Sequence, residues 1–112
     1  MREINDRLRQ SGIGGKVIVS GSVVSLGTPL IIDIFLKIRD YALFAPEDTA
    51  HDRGSFPVGG HEIYWRISSN PALVRESKQK WFEGTEKVLF ILRGEEYEDY
   101  FLESRYAGSR PD

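Results

Sequence analysis

Two extended runs, "SFPV" (55–58) and "EIYWRIS" (62–68), lie on either side of Gly59-Gly60, separated from it only by His61. Strand-forming residues around paired glycines signal a two-residue β-hairpin, because the turn that matches strand twist needs positive φ at its central positions. A chain with such a hairpin has antiparallel pairing at its centre and must cover at least one face of the resulting sheet.

The remaining periodicity supplies further strands and the cover. "KVIVSGSVVSL" (16–26) is rich in β-branched residues and predicts a strand kinked at Gly21, and "EKVLFIL" (86–92) predicts a buried one. Ile4 and Leu8, four apart among charges, predict a short helix over 3–10 that the glycines at 12, 14 and 15 stop. Thr28 can cap a helix with Pro29 at its first position. Over 30–44, Ile31, Phe35, Ile38 and Ala42 share one helical face, and Asp33 with Lys37 makes an i, i+4 pair on another. Asn70-Pro71 opens a further helix through "ALVRESKQKWFE", with Gly84 at its C-terminal stop. Tyr97, Tyr100, Phe101 and Ser104 form a stripe over 95–104. The expectation is an α+β fold: one domain over 1–112, about four mostly antiparallel strands, helices packed on one face, and 106–112 frayed.

Composition narrows function by exclusion. The absence of cysteine removes disulfides, thiolate catalysis and cysteine-based zinc sites. No segment approaches the ~20 apolar residues of a membrane span, and "MREINDRLRQ" lacks the apolar core of a signal peptide. A cytoplasmic protein mature from Met1 is expected, with no cofactor. A net charge of −2 neither demands nor excludes nucleic acid.

Four groups of residues are candidates for chemistry or binding. "APEDTAHDRGSF" (45–56) crowds three acids, a histidine and an arginine into one loop. His51 with Asp52 could act as a general base pair, or ligate a metal together with His61 and Glu47 or Glu62. The spacing fits no helical zinc signature, and the loop also reads as a turn in which Asp52 accepts backbone N–H groups and Gly54 supplies a positive φ. Strand alternation puts Ile63, Trp65 and Ile67 on a core face and Tyr64 with Arg66 on an exposed one, a pairing enriched at interfaces. Arg75, Lys78, Lys80 and Trp81 could contact phosphate and stack a base, or form a solvated helix over a buried tryptophan. Glu95, Glu96, Glu98, Asp99 and Glu103 could dock a partner with a basic surface, or simply face solvent.

The segments "NDRLRQ" (5–10), "GGKVIVSGSVVSL" (14–26), "HDRGSF" (51–56), "YWRI" (64–67) and "KVLFILRGEEY" (87–97) occur in the order of motifs in the bacterial family catalogued as domain of unknown function 3768, which the chain resembles in patches over 5–97. That family has an N-D-x-x-R opening, a G-G-[RK]-V strand, an H-D-x-G-[AS]-F turn and a late R-V-L-T-I-M-L-A-S-E-Y segment. "NPALVRESKQKWFEGTE" (70–86) and "KVLFILRG" depart from it. The resemblance implies a small cytoplasmic bacterial protein, often carried on mobile elements, and no particular activity. The function expected from these observations is a small non-catalytic protein-binding module. Its sharpest form is a mobile-element inhibitor of a host nucleic-acid-targeting defence complex, anti-CRISPR-like. The alternatives are a metal-dependent hydrolase or nuclease using His51, Asp52 and His61, and a nucleic-acid binder using the basic run.

Overall fold

The computed structural model describes residues 2–44 and 46–102. In chain order its elements are α1 (Arg2–Ser11), β1 (Lys16–Val19), α2 (Gly21–Val24), α3 (Thr28–Arg39), β2 (Arg53–Val58), β3 (His61–Ser68), β4 (Val88–Arg93) and α4 (Tyr97–Tyr100). Short 3₁₀ segments cover Pro71–Leu73, Glu76–Phe82 and Gly94–Glu96. The strands form one mixed sheet in the order β1-β4-β3-β2. β2–β3 and β3–β4 are antiparallel, whereas β1 runs parallel to β4. This is the α+β architecture that the periodicity predicts.

The hairpin forms where Gly59 and Gly60 allow it, with φ of 55° and 81°. Its outer strand is a sheet edge. The Asp52 carbonyl accepts the Ile67 N–H at 2.7 Å, so the alternation of ladder bonds turns the backbone groups of Arg53, Ser55 and Pro57 outward. Pro57 has no N–H to offer there, which blunts the edge against further pairing.

Side-chain alternation along β3 and β4 divides the interior in two. Ile63, Trp65, Ile67, Leu89 and Ile91 meet Leu8 of α1, Val23 of α2, and Ile34 and Ile38 of α3 on one face. Val88, Phe90 and Leu92 meet Val74, Phe82, Tyr97 and Phe101 on the other. The three N-terminal helices therefore pack on one face, as expected, and irregular turns with α4 cover the second. β4 is buried on both sides, which is why its sequence is an unbroken apolar run.

Several local expectations give way. The strand expected over 16–26 ends at Val19, because the Ser20 hydroxyl accepts the Val23 N–H and starts the turn of α2. Gly27, at φ 97°, occupies the cap position foreseen for Thr28. On α1, Leu8 is buried while Ile4 is half exposed. On α3 the buried face is Ile34 and Ile38 rather than Ile31, Phe35, Ile38 and Ala42, and the helix stops at Arg39. The Asp33–Lys37 pair forms at 3.5 Å. Asn70 caps through its side chain, accepting the Ala72 N–H at 3.0 Å. The helix it opens breaks at Val74, which turns extended and bridges to Phe101. That bridge also limits the expected helix over 95–104 to α4. Glu103, Ser104 and the 106–112 tail lie outside the described residues.

Candidate functional site

One turn-and-a-half of α1 holds Asn5, Asp6 and Arg9 on the side facing the loop after α3. Asn5 Nδ2 donates to the Ala50 carbonyl at 2.9 Å, and Lys87 Nζ donates to Asn5 Oδ1 at 3.0 Å. One nitrogen of the Arg9 guanidinium donates to the carbonyls of Ile38 (2.6 Å), Arg39 (3.0 Å) and Tyr41 (3.2 Å). Arg9 is thus a cap supplied from another helix, placing a positive charge on the negative end of α3. Its other terminal nitrogen donates to Asp6 Oδ1 at 2.9 Å, and the guanidinium carbon sits 5.4 Å from the Phe44 ring centre and 5.8 Å from that of Trp65.

Asp6 Oδ1 also meets His51 Nδ1 at 3.2 Å. Burial pushes the Asp6 carboxyl upward, but hydrogen bonds from Arg9 and His51 outweigh it and hold it below its ordinary value. An ionised Asp6 takes its hydrogen bond from a protonated Nδ1, so in the neutral form of the ring the lone pair would sit on Nε2. Among the described residues Nε2 makes no hydrogen bond. The ring stacks on Phe44, with centroids 3.9 Å apart and planes 3° from parallel. Its backbone has φ 54°, the left-handed region, fixed by Asp48 Oδ1 accepting the N–H groups of Ala50 and His51 at 3.1 Å each.

This arrangement replaces the predicted one. Asp52 turns its carboxylate to Arg53 Nε at 3.2 Å, and its carbonyl belongs to the sheet. His61 pairs with Val58 beside the hairpin turn, whereas Arg53 pairs with Arg66 near the His51 end. That register puts five strand residues, about 17 Å, between the two histidines. Among the described residues no three histidine, aspartate or glutamate side chains gather for a metal, so the His51/Asp52/His61 set with Glu47 or Glu62 is not assembled. Gly54 is likewise needed for space and not for φ: a Cβ there would lie 2.6 Å from Tyr41 Cζ and 2.7 Å from Trp65 Nε1.

Two clefts flank the segment after α3. A polar one of about 360 Å³ is lined by Arg2, Asp6, Arg9, Phe44, Asp48 and His51, and a more apolar one of about 450 Å³ by Leu36, Leu43 and Phe56 together with Asp33, Lys37 and Asp40. Tyr41 and Ala42 border both. On the helix itself Ile32, Phe35 and Leu36 are 54%, 41% and 43% exposed, and Leu43 beyond it is 80% exposed.

The other candidates fare differently. Arg66 is buried, not exposed: its guanidinium carbon lies 4.7 Å from the Phe101 ring centre, and it donates to the Tyr97 hydroxyl. Tyr64 is half-buried and packs edge-on against Tyr97 at 4.9 Å. The face of β3 that alternation assigns to solvent is covered by α4 and its exit. Glu96 also turns inward, accepting from Ser20 Oγ (2.9 Å), Ser22 Oγ (2.7 Å) and the Arg93 N–H (2.9 Å). Burial raises its carboxyl, and these three donors more than reverse the effect, leaving it below the ordinary value. Glu95 pairs with Arg93 at 2.9 Å, while Glu98 and Asp99 face solvent. In the basic run Lys78 sits 4.4 Å from the Tyr100 ring centre and Lys80 5.1 Å from that of Trp81, so those aromatic faces already hold cations. The Arg75 Nε donates to the Glu98 carbonyl at 2.9 Å.

No family model, curated protein or solved structure matches the chain. Asn5, Asp6 and Arg9 escape a reading based on loop composition, because their partners outside the helix lie 29 to 82 residues away. The available signal was the N-D-x-x-R spacing, which puts Asp6 and Arg9 one turn apart. Those residues and the "HDRGSF" loop, two segments that carry the resemblance, are the ones that meet here.

Proposed function

We propose that the protein is a protein-binding module that engages its partner through α3 and the segment leading out of it. The observation that carries this reading is the exposed apolar surface of Ile32, Phe35 and Leu36 on α3, which Leu36 joins to the apolar cleft that it lines with Leu43. Apolar side chains at i, i+3 and i+4 form one continuous strip on a helix. Contiguous exposed apolar surface on a small domain marks contact sites far more often than isolated apolar residues do. Its borders support the same reading: Asp33–Lys37 and Arg39–Asp40 are ion pairs at the rim, giving the apolar-centre, polar-rim anatomy of interfaces.

The sharpest form of this function is inhibition of a host nucleic-acid-targeting defence complex, which the resemblance to a mobile-element family motivates. The acidic stretch contributes less than its composition suggests, since Glu96 is committed to Ser20 and Ser22.

Immobilised wild-type protein, Leu36→Asp and the Glu98→Lys/Asp99→Lys double variant would be exposed to one bacterial lysate, with circular dichroism confirming each fold. A partner retained by wild type and the double variant but lost by Leu36→Asp is expected. Loss through the acid reversal with Leu36→Asp still binding would move the interface to α4 and overturn the reading. Unimpaired target cleavage by a reconstituted defence nuclease at excess protein would discard the inhibitor form alone.

A further inference from the structure

The face that α3 turns to solvent joins an apolar strip to an ordered set of charges. Ile32, Phe35 and Leu36 are exposed, and helical spacing puts Arg39 next in their line. The Arg39 head is turned to Asp40, which accepts from Nε at 2.9 Å and from a terminal nitrogen at 3.0 Å, so its stem adds to the apolar surface. Along one flank stand Asp33 and Lys37, one turn apart and 46% and 44% exposed. Asp33 and Asp40 are thus balanced by Lys37 and Arg39. An occupant carrying one sign of charge would meet as much repulsion as attraction here. What the flank does carry is a direction, acid before base along the chain. The matching occupant presents base before acid in the same direction, and a second α3 laid antiparallel does so.

We propose that two copies of this chain pack antiparallel along α3 about a two-fold axis beside Phe35, and that the free protein covers its contact surface in this way. A two-fold axis makes the interface self-complementary. With the axis beside Phe35, residues equally far before and after it face each other, so Asp33 of each copy meets Lys37 of the other. Because the axis crosses the helices, the same flank of both lies on the same side, and the two charge contacts form together. Ile32 and Leu36 of one copy interlock with Leu36 and the Arg39 stem of the other, as ridges into grooves. Exposed ion pairs add little affinity. Their order sets direction and register, while the apolar strip supplies the attraction. The helix has 12 residues, so the contact belongs with small interfaces and the dimer exchanges readily with monomer. Resting on the reading of α3 as the contact surface, the pairing adds its regulation: another partner reaches Leu36 only on the monomer.

The test is sedimentation equilibrium of the full chain at low salt, with circular dichroism confirming each fold. Wild type should approach twice the monomer mass as concentration rises, and Leu36→Asp should stay monomeric. Asp33→Lys and Lys37→Asp should each self-associate at least roughly tenfold more weakly, because each puts like charges together at two places. Mixed in equal amounts, these two variants should form a heterodimer as strong as the wild-type dimer, since every contact between positions 33 and 37 is again of opposite sign. The Asp33→Lys/Lys37→Asp double variant should recover self-association for the same reason. A wild-type chain that stays monomeric up to about 1 mM would overturn the pairing and leave α3 to the partner retained from a lysate. Undiminished dimers of Leu36→Asp would move the interface off α3. Single variants that stay apart on mixing would overturn the antiparallel register centred on Phe35.

Discussion

Replacing Arg9 by methionine removes the guanidinium while keeping most of the apolar stem that packs over Phe44 and Trp65. The side chain is only 3% exposed, and the Asp6 carboxylate it pairs with is 27% exposed. Three carbonyls at the end of α3 and one carboxylate lose their donor together. Removing one member of a buried pair costs ~3–5 kcal/mol. Asp6 retains some solvent contact and His51 remains as a partner, so the lower end, ~3 kcal/mol, applies. For a domain of this size that lowers Tm by about 10–20 °C. Urea denaturation followed by circular dichroism would measure it, with an unchanged m-value showing that the denatured state is not at fault. The Asp6→Asn/Arg9→Met double variant should lose at least ~1 kcal/mol less than the sum of the single losses, because the two groups share one interaction. A loss below ~1 kcal/mol for Arg9→Met, or strict additivity, would refute the idea that Arg9 fastens α1 to the end of α3.

Gly54→Ala should destabilise by at least ~1–3 kcal/mol, as overpacking does, because the new Cβ meets the Tyr41 and Trp65 rings at under 3 Å; a melting temperature equal to wild type would contradict the close approach. Ile38→Ala should cost ~2–5 kcal/mol and Phe35→Ala under ~1.5 kcal/mol, since only the former is fully buried; equal losses in urea melts would put the core face of α3 elsewhere. Asp6 and Glu96 both have carboxyls held below their ordinary values of 3.8 and 4.5. Their contribution is complete above those values and is lost as pH falls through the lower folded ones. The urea midpoint should therefore drop below about pH 4.5, and Glu96→Gln should flatten part of that drop; an unaltered acid limb in Glu96→Gln would remove Glu96 from the account.

The hairpin was legible because its signal is local: a turn needing positive φ and glycines that allow it. β4 was legible because a strand buried on both faces needs no alternation. α3 was recognised as a helix, but its orientation was not. Ile31, Ile32, Ile34, Phe35, Leu36 and Ile38 put apolar residues nearly all round it, so periodicity alone could not choose Ile34 and Ile38 over Ile31 and Phe35. That excess has a physical meaning, since the apolar residues left outside the core make the exposed surface. Over 20–24 a single cap overrode β-branched propensity. Over 71–82 the bridge of Val74 to Phe101 broke a helix whose residues would otherwise favour it. The site was half visible: His51 stood out by composition, while Asp6 and Arg9 looked like ordinary surface charges on a short helix. Only the packing of α1 across the end of α3 withdraws them from water.

The placement of β4 also sets an order of assembly. It lies between β3 and β1, and among the described residues it is β1's sole neighbour in the sheet. As the chain is synthesised, β2 and β3 can pair at once across Gly59-Gly60, and β4 adds to them after a modest gap. β1 must wait about seventy residues for Val88–Arg93 to appear beside Lys16–Val19, a loop whose closure is entropically costly. During that wait α1 can be held by its contacts to Ile38, Arg39, Tyr41, Ala50 and His51, but lacks the one to Lys87. Of these elements β1, which precedes the others of the sheet in the chain, is therefore the last to be paired, and the surface beside α3 takes its final form only once the strand at 88–93 has arrived.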